Sequence, residues 1–510
     1  MDALGRAVQP RWFWLPVLVS IASAGCGGRG RTESEASTSA QTASAELQTP
    51  AHPSSVSLDA EDDRPSRADA DLSEGPDVES VGRQTNDASA GDETQPKNTA
   101  KLTQPPTWDD AYLASAGIRK LAGKYLTLFT DLPPHPAVDQ LPAIFDQAIP
   151  QWCEYFELSP AAVESWRTNG YLIRDEARFR QAGMFPDDLP VFLNGFQRGN
   201  ELWLYEQPSD YYRRHLLLHE GTHGFMKWAL GGTGPPWYME GAAELLATHR
   251  WVDGELTLRY FPRDKEEVLL WGRIKKIRDE VKQNRGRTLK QIMRYDVAAH
   301  LEVAPYAWCW AAAAFFDNHP ACRQPFRELR NSAFDSSPRF SAKLYQRIAS
   351  QWPHLMRQWQ LFVLNMEYGY DLGREAIEPR PIVDLPRAGA TVKVVADRGW
   401  QSTGFRLEQG QVYRLEASGR FQIARDSQIW WCESNGITLR YHGGLPLGIL
   451  LAAVDDEDQP VSGITRLAVP ESIGHGADLT TQRAGTLYLR VNDSPAELAD
   501  NAGELTVRIK

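Results

Sequence analysis

Cysteine is scarce in this chain: five residues in 510, none of them in a CxxC spacing, which excludes a zinc ribbon. The apolar run near the start, Trp12 to Ala24, has 13 residues, where a membrane-crossing helix needs roughly 20. A basic excess is missing as well. The formal net charge is −11, and Gly27 to Lys101, with 15 acidic against 7 basic residues, carries −8 of it. The rest is close to neutral and lacks the basic face that nucleic-acid binding requires. Internal repeats are absent. What is present is length for two or three domains and 42% hydrophobic residues, enough for a sizeable core.

Arg6 and Arg11 precede the short apolar run, as in a signal-peptide core. The run ends in Ser23-Ala24-Gly25-Cys26, which resembles the bacterial lipobox, except that Ser23 stands where Leu is usual. The resemblance implies acylation of Cys26 and export, with the chain held by lipid at the periplasmic or outer face of a bacterial membrane. A plain cleaved signal, with Cys26 incidental, is the alternative. Residues 27–105 are rich in Ser, Thr, Ala, Asp, Glu and Pro and have very few aromatics. That composition cannot bury enough surface to offset ordering entropy, so a disordered tether is expected, with an r.m.s. span of roughly 50 Å.

From Trp108 the pattern changes. Strand-like runs at Tyr125–Phe129, Tyr171–Arg174, Pro190–Phe196 and Glu201–Glu206 precede helical stretches at Asp210–Leu230, Tyr238–Trp251 and Ala304–Asn318. Ser209 is placed to cap the first helix and Gly231-Gly232 to end it. Residues 106–380 therefore read as an α+β domain. Beyond a shift near Arg380 to Ala388 the chain reads as all-β: Thr391–Ala396, Gln411–Ala417, Leu447–Val454, Gly485–Val491 and Glu504–Ile509 predict a sandwich over 385–510. Cys153, Cys309, Cys322 and Cys432 are either paired or buried free thiols; their spacing does not decide.

The chemistry concentrates at His219-Glu220-Gly221-Thr222-His223. Histidines at i and i+4 share a helix face and can hold one metal ion, while Glu220, about 100° around the helix, can reach a water on it. Two core-facing histidines would be the plain structural reading. Downstream comes Pro236-Trp237-Tyr238-Met239-Glu240-Gly241-Ala242-Ala243-Glu244. A hairpin of helices would bring Glu240 beside the histidines as a third ligand, with Glu244 one turn on to accept from the outer nitrogen of a ligand histidine. His215 extends the stripe and reads as a supporting histidine, and His249 as core or solvated.

HExxH followed by Trp-x-x-Glu-Gly-x-Ala resembles the gluzincins, zinc peptidases of the thermolysin and aminopeptidase type. The match is specific over about His215 to Leu246. It implies Zn²⁺ at His219, His223 and Glu240, Glu220 as general base, and a protein or peptide substrate laid against the strand Glu201–Glu206. It also implies an oxyanion-binding tyrosine on a later helix, for which Tyr306 is the candidate, an aromatic core role being the alternative. No Gly-x-Met-Glu-Asn segment precedes the metal helix, which favours endopeptidase over aminopeptidase action.

Near the C-terminus, Asp493, Asp500 and Asn501 offer oxygens around a tight loop, either for calcium or as Asx turns. With Trp400-Gln401-Ser402-Thr403-Gly404, Glu416-Ala417-Ser418-Gly419 and Leu447-Gly448-Ile449-Leu450, this segment resembles small bacterial calcium-dependent galactose-binding lectins over about Val392 to Lys510. The resemblance implies a jelly-roll-like sandwich and Ca²⁺ at Asp493, Asp500 and Asn501, with backbone oxygens of Ile423 and Glu497. Residues Asp426 to Gly444 depart from it, so calcium binding is favoured over galactose binding, and the module would either grip a polysaccharide or brace the peptidase domain. Two functions are thus expected in competition: a zinc peptidase with a β appendage, or a carbohydrate-binding lipoprotein whose peptidase-like domain is a scaffold.

Overall fold

The computed structural model describes residues 104–456 and 463–510. The segment read as a signal, Cys26 and nearly all of the expected tether lie outside them. Among the described residues no helix is long and apolar enough to cross a membrane.

The α+β region opens on a five-stranded sheet: β1 (Arg119–Ala122), β2 (Leu126–Thr130), β3 (Thr168–Ile173), β4 (Gly195–Arg198) and β5 (Glu201–Tyr205), in spatial order β1-β2-β3-β5-β4. β2, β3 and β5 are parallel, and the two outer strands run antiparallel to their neighbours. β3 is buried along its whole length, as expected of a strand covered on both faces. Two expectations change here. The strand read at Pro190–Phe196 is only Gly195–Arg198, because Pro190 to Asn194 forms no ladder, and Val191 and Leu193 are exposed. The strand expected to line a cleft, β5, is interior; the edge on its side of the sheet belongs to β4.

Among the longer helices are α1 (Leu141–Tyr155), α2 (Asp210–Leu230), α3 (Pro236–Ala247), α4 (Arg273–Lys282), α5 (Val303–Asn318) and α6 (Trp352–Leu364). α2 starts and stops where its sequence indicates. Ser209 accepts from the Tyr212 amide at 3.0 Å, and Gly231 ends the helix in the left-handed region at φ 75°. α2 lies close on α1: a side chain in place of Gly221 would collide with Phe145. The second helix is shorter than the expected Tyr238–Trp251. It stops at Ala247, where the Thr248 hydroxyl donates to the Glu244 carbonyl at 2.7 Å, and His249–Val252 turns into a hairpin with Glu255–Leu258. Gln147 and Gln151 of α1 bond that hairpin's backbone, a long-range preference that local periodicity does not carry. The four described cysteines are all buried, with no disulfide among them.

The C-terminal region is a β sandwich. One sheet takes Asn435–His442, Leu445–Asp455, Gly485–Val491, Gln401–Leu407 and Val383–Asp384 in that order, with Glu471–Ser472 beside Leu445–Asp455. The other takes Gly476–Thr480, Val412–Ser418, Glu504–Ile509 and Ala390–Val395. Leu450, Ala452, Leu487 and Leu489 of the first pack with Leu415, Leu505, Val507 and Ile509 of the second in one core, the inward halves of alternating strands. A smaller apolar cluster joins the regions, with Leu361 and Ile377 on one side and Trp400, Leu451 and Tyr488 on the other.

Candidate metal centre

α2 carries the first two groups of the cluster. The i, i+4 spacing sets the imidazoles of His219 and His223 on one face, their Nε2 atoms 3.1 Å apart. α3 returns beside α2 and delivers Glu240, whose Oε2 lies 3.1 Å from His219 Nε2 and 3.6 Å from His223 Nε2. All three side chains are buried. Three lone-pair atoms thus face one another, and Glu240 Oε2 accepts no hydrogen bond. Bonds of 2.0–2.1 Å in a tetrahedron separate ligand atoms by about 3.3 Å, close to these spacings. The donor set and its spacing fit a divalent cation of the zinc type.

The outer nitrogen of His219 faces a second carboxylate, with Nδ1 3.4 Å from Glu244 Oε1. Arg273, at the start of α4, grips Glu244 with both arms, Nε to Oε2 at 3.0 Å and Nη2 to Oε1 at 2.8 Å. His215 stands 3.4 Å from Glu244 Oε2 through Nε2 and donates Nδ1 to the Ala247 carbonyl at 3.1 Å. His215 therefore sits behind the cluster, supporting Glu244. His249 is core, stacked on Tyr211 with ring centroids 4.5 Å apart. Sequence reasoning did not find Arg273; it follows Glu240 by 33 positions and belongs to no short motif.

Burial pushes the Glu220 carboxyl up to about 7, with Glu240 adding to the rise against the pull of His219. Burial alone would raise Glu240 too, but His223 and His219 outweigh it and hold that carboxyl below the usual range. For His219 burial favours the neutral ring, yet Glu240 and Glu244 on either side raise it well above its ordinary value. Protons and a cation therefore compete for the same nitrogen. Gly195 of β4 passes directly over Glu220: a Cβ there would lie 2.7 Å from Glu220 Oε1.

Tyr306, in the first turn of α5, is brought to the cluster. Its ring centroid is 6.1 Å from that of His219, with the Arg273 guanidinium 5.9 Å from the ring. Burial, then the charges of Glu240 and Glu220, keep its phenol protonated far above neutral pH.

The C-terminal candidates also converge. Asp493 Oδ2 accepts from Asn501 Nδ2 at 2.7 Å, and Asp500 Oδ2 accepts from the Arg425 amide at 3.0 Å. Asp500 Oδ1 and Asn501 Oδ1 are buried without a partner. Burial raises the Asp493 carboxyl to about 6. Ile423 lies at the irregular point between Gln422 and Ala424, and Glu497 pairs its carboxylate with Arg440 at 3.1 Å. The loop abuts the α+β region: Ser494 donates to Glu367 at 2.5 Å, the Asp371 amide to the Pro495 carbonyl at 3.0 Å, and Arg490 bridges Asp493 O and Glu375.

No family model matches the chain, and no curated protein matches it. Among solved structures similar to part of it is one described as "EclA N-terminal domain; PllA-like lectin", which covers 23% of this chain and 92% of that one at 20% identity and a TM-score of 0.18. A likeness at that score carries no functional weight.

Proposed function

We propose that the chain is a zinc-dependent peptidase of the gluzincin type, working through residues 106–380 as an endopeptidase. The observation that carries this reading is the convergence of His219 Nε2, His223 Nε2 and Glu240 Oε2 within 3.1–3.6 Å of one another. Bound there, zinc supplies Lewis acidity, which acidifies water and polarises a carbonyl oxygen. The chain's own groups do the rest. Glu220, on the next position of the helix, takes a proton and returns it to the leaving amine. Tyr306 aims its phenol at the oxygen on which charge develops. Glu244, locked by Arg273, orients the His219 ring and keeps Nε2 toward the cation. The free edge of β4 offers N–H and C=O groups to an extended peptide, which sets the scissile bond beside Glu220.

The test is cleavage of casein by the zinc-loaded full chain, compared with Glu220→Gln. The variant is expected to keep its zinc and lose about 10²–10⁴-fold in kcat. Equal turnover by both would sink the reading, whatever the metal content.

A second reading concerns the β sandwich over 385–510. The partnerless oxygens of Asp500 and Asn501 beside Asp493 favour a calcium site there, in line with the lectin resemblance. A carbohydrate-binding role with an inert α+β scaffold is the competing function. It leaves the carboxylate at Glu220 without a purpose. As an exported lipoprotein the chain would meet its substrates at the cell envelope.

A further inference from the structure

A cavity near the metal centre is left unused by the chemistry above. It has a volume of about 430 Å³, the size of pockets that accept a side chain or small ligand. Its lining ties it to the metal centre. Tyr212 stacks on His215 at 5.8 Å, Arg273 holds Glu244, and Val303 lies one turn before Tyr306 on α5. The pocket therefore borders the side of the cluster that Tyr212, Arg273 and Val303 flank.

Its walls are apolar, with Leu270, Trp271 and Val303 on them, and its charges are unequal: Arg273, Lys275 and Lys276 against Asp279. Arg273 is neutralised by Glu244, and Lys275 pairs with Asp279 at 2.5 Å. Lys276 is the surplus. Its partner Glu280 lies 3.6 Å away and is held more closely by Arg285, at 2.6 Å. α4 also begins here with no side chain capping its first turn, so its dipole adds to the same sign.

We infer that this pocket is a subsite for a carboxylate of the substrate, borne by an acidic side chain or by the chain terminus. The inference rests on the peptidase reading for its purpose but not for its test. Fluorescein-labelled hexapeptides with Glu, Gln or Leu at one position, carboxyl-terminus free or amidated, are titrated against the zinc-loaded full-length Glu220→Gln protein and followed by anisotropy. The carboxylate-bearing peptide is expected to bind about 10-fold more tightly than its neutral counterpart. The Lys275→Gln/Lys276→Gln change in the same background should abolish most of that preference, with an unchanged thermal midpoint as the control for folding. Dependence on Glu assigns the carboxylate to a side chain, and dependence on the free terminus assigns it to the chain end. Equal binding of charged and neutral peptides, or a preference that survives the lysine changes, overturns the inference. Acidic peptides that bind here but are never cleaved by the wild-type chain would leave the pocket standing and defeat the peptidase reading instead.

Discussion

Tyr306 illustrates what single residues can carry. Its phenol lies beside the cluster and stays protonated, so it can donate to a developing oxyanion but cannot serve as a base. Tyr306→Phe removes that donor and keeps the ring that packs beside His219. It is expected to lower kcat by about 10²–10³-fold with KM and zinc content little changed; steady-state kinetics on a peptide substrate would check this. A second residue-scale expectation concerns acid. Burial pushes His249 down to about 3 and His319 to about 4. His319 Nδ1 accepts the Ala321 amide at 3.2 Å, leaving no room for a second proton. Both folded values lie below the free imidazole value near 6.5, so the unfolded chain takes the proton first. Stability from these two is full above about 6.5 and falls as pH drops toward 4, by about 1.4 kcal/mol each at pH 5.5. The urea midpoint should drop between pH 7.5 and 5.5, and His319→Gln should reduce the drop. The pairing of His219 with His223 was legible because a helix repeats its face every three to four positions and HExxH sits on one. Arg273 was not, since its partnership with Glu244 exists only after α4 has folded back.

At the scale of elements, the meeting of β4 and α2 governs the site. Gly195 allows the edge strand to pass within contact of Glu220, and a methyl group would meet both Glu220 Oε1 at 2.7 Å and Leu216 Cδ1 at 2.9 Å. On the proposed function, Gly195→Ala would shift Glu220 without touching His219, His223 or Glu240. A displacement of that order costs about 10²-fold in rate, so kcat should fall by that much while zinc stoichiometry, read by metal analysis, holds at one. This relation also marks a limit of sequence reading. The residues of both strands were visible as apolar runs, but strand order was not. Which of β4 and β5 lies at the edge is decided by pairing to β3 and not by either strand's own pattern. The end of α3 was missed for a similar reason: Thr248 to Val252 fits a helical continuation, and Gln147 and Gln151 of α1 draw it into a hairpin.

For the molecule as a whole, the loop Asp493–Asn501 matters more than its size suggests. It supplies the candidate calcium oxygens on one side and grips Glu367, Asp371 and Glu375 on the other. Arg490 and Glu375 are both buried there, a pair whose rupture would strand a charge. A cation bound by the loop would therefore brace the seam between sandwich and α+β region. Calcium at about 100 times its dissociation constant should add about 2.7 kcal/mol. Differential scanning calorimetry should show the midpoint of the full chain rising with calcium and falling with a calcium chelator, and Asp493→Ala should be insensitive to both.

The buried thiols have a consequence for the lifetime of the molecule. Burial pushes Cys322 up to about 12 and Cys432 to about 11, and raises Cys153 and Cys309 as well, so none reacts while the fold is closed. Opening returns all four to an ordinary acidity, with no native disulfide among them. In an oxidising compartment each excursion to the unfolded state then risks a wrong crosslink that refolding cannot undo. The chain's durability there is set by how seldom it opens, and thiol reagents added to the medium would act as a clock that counts those openings.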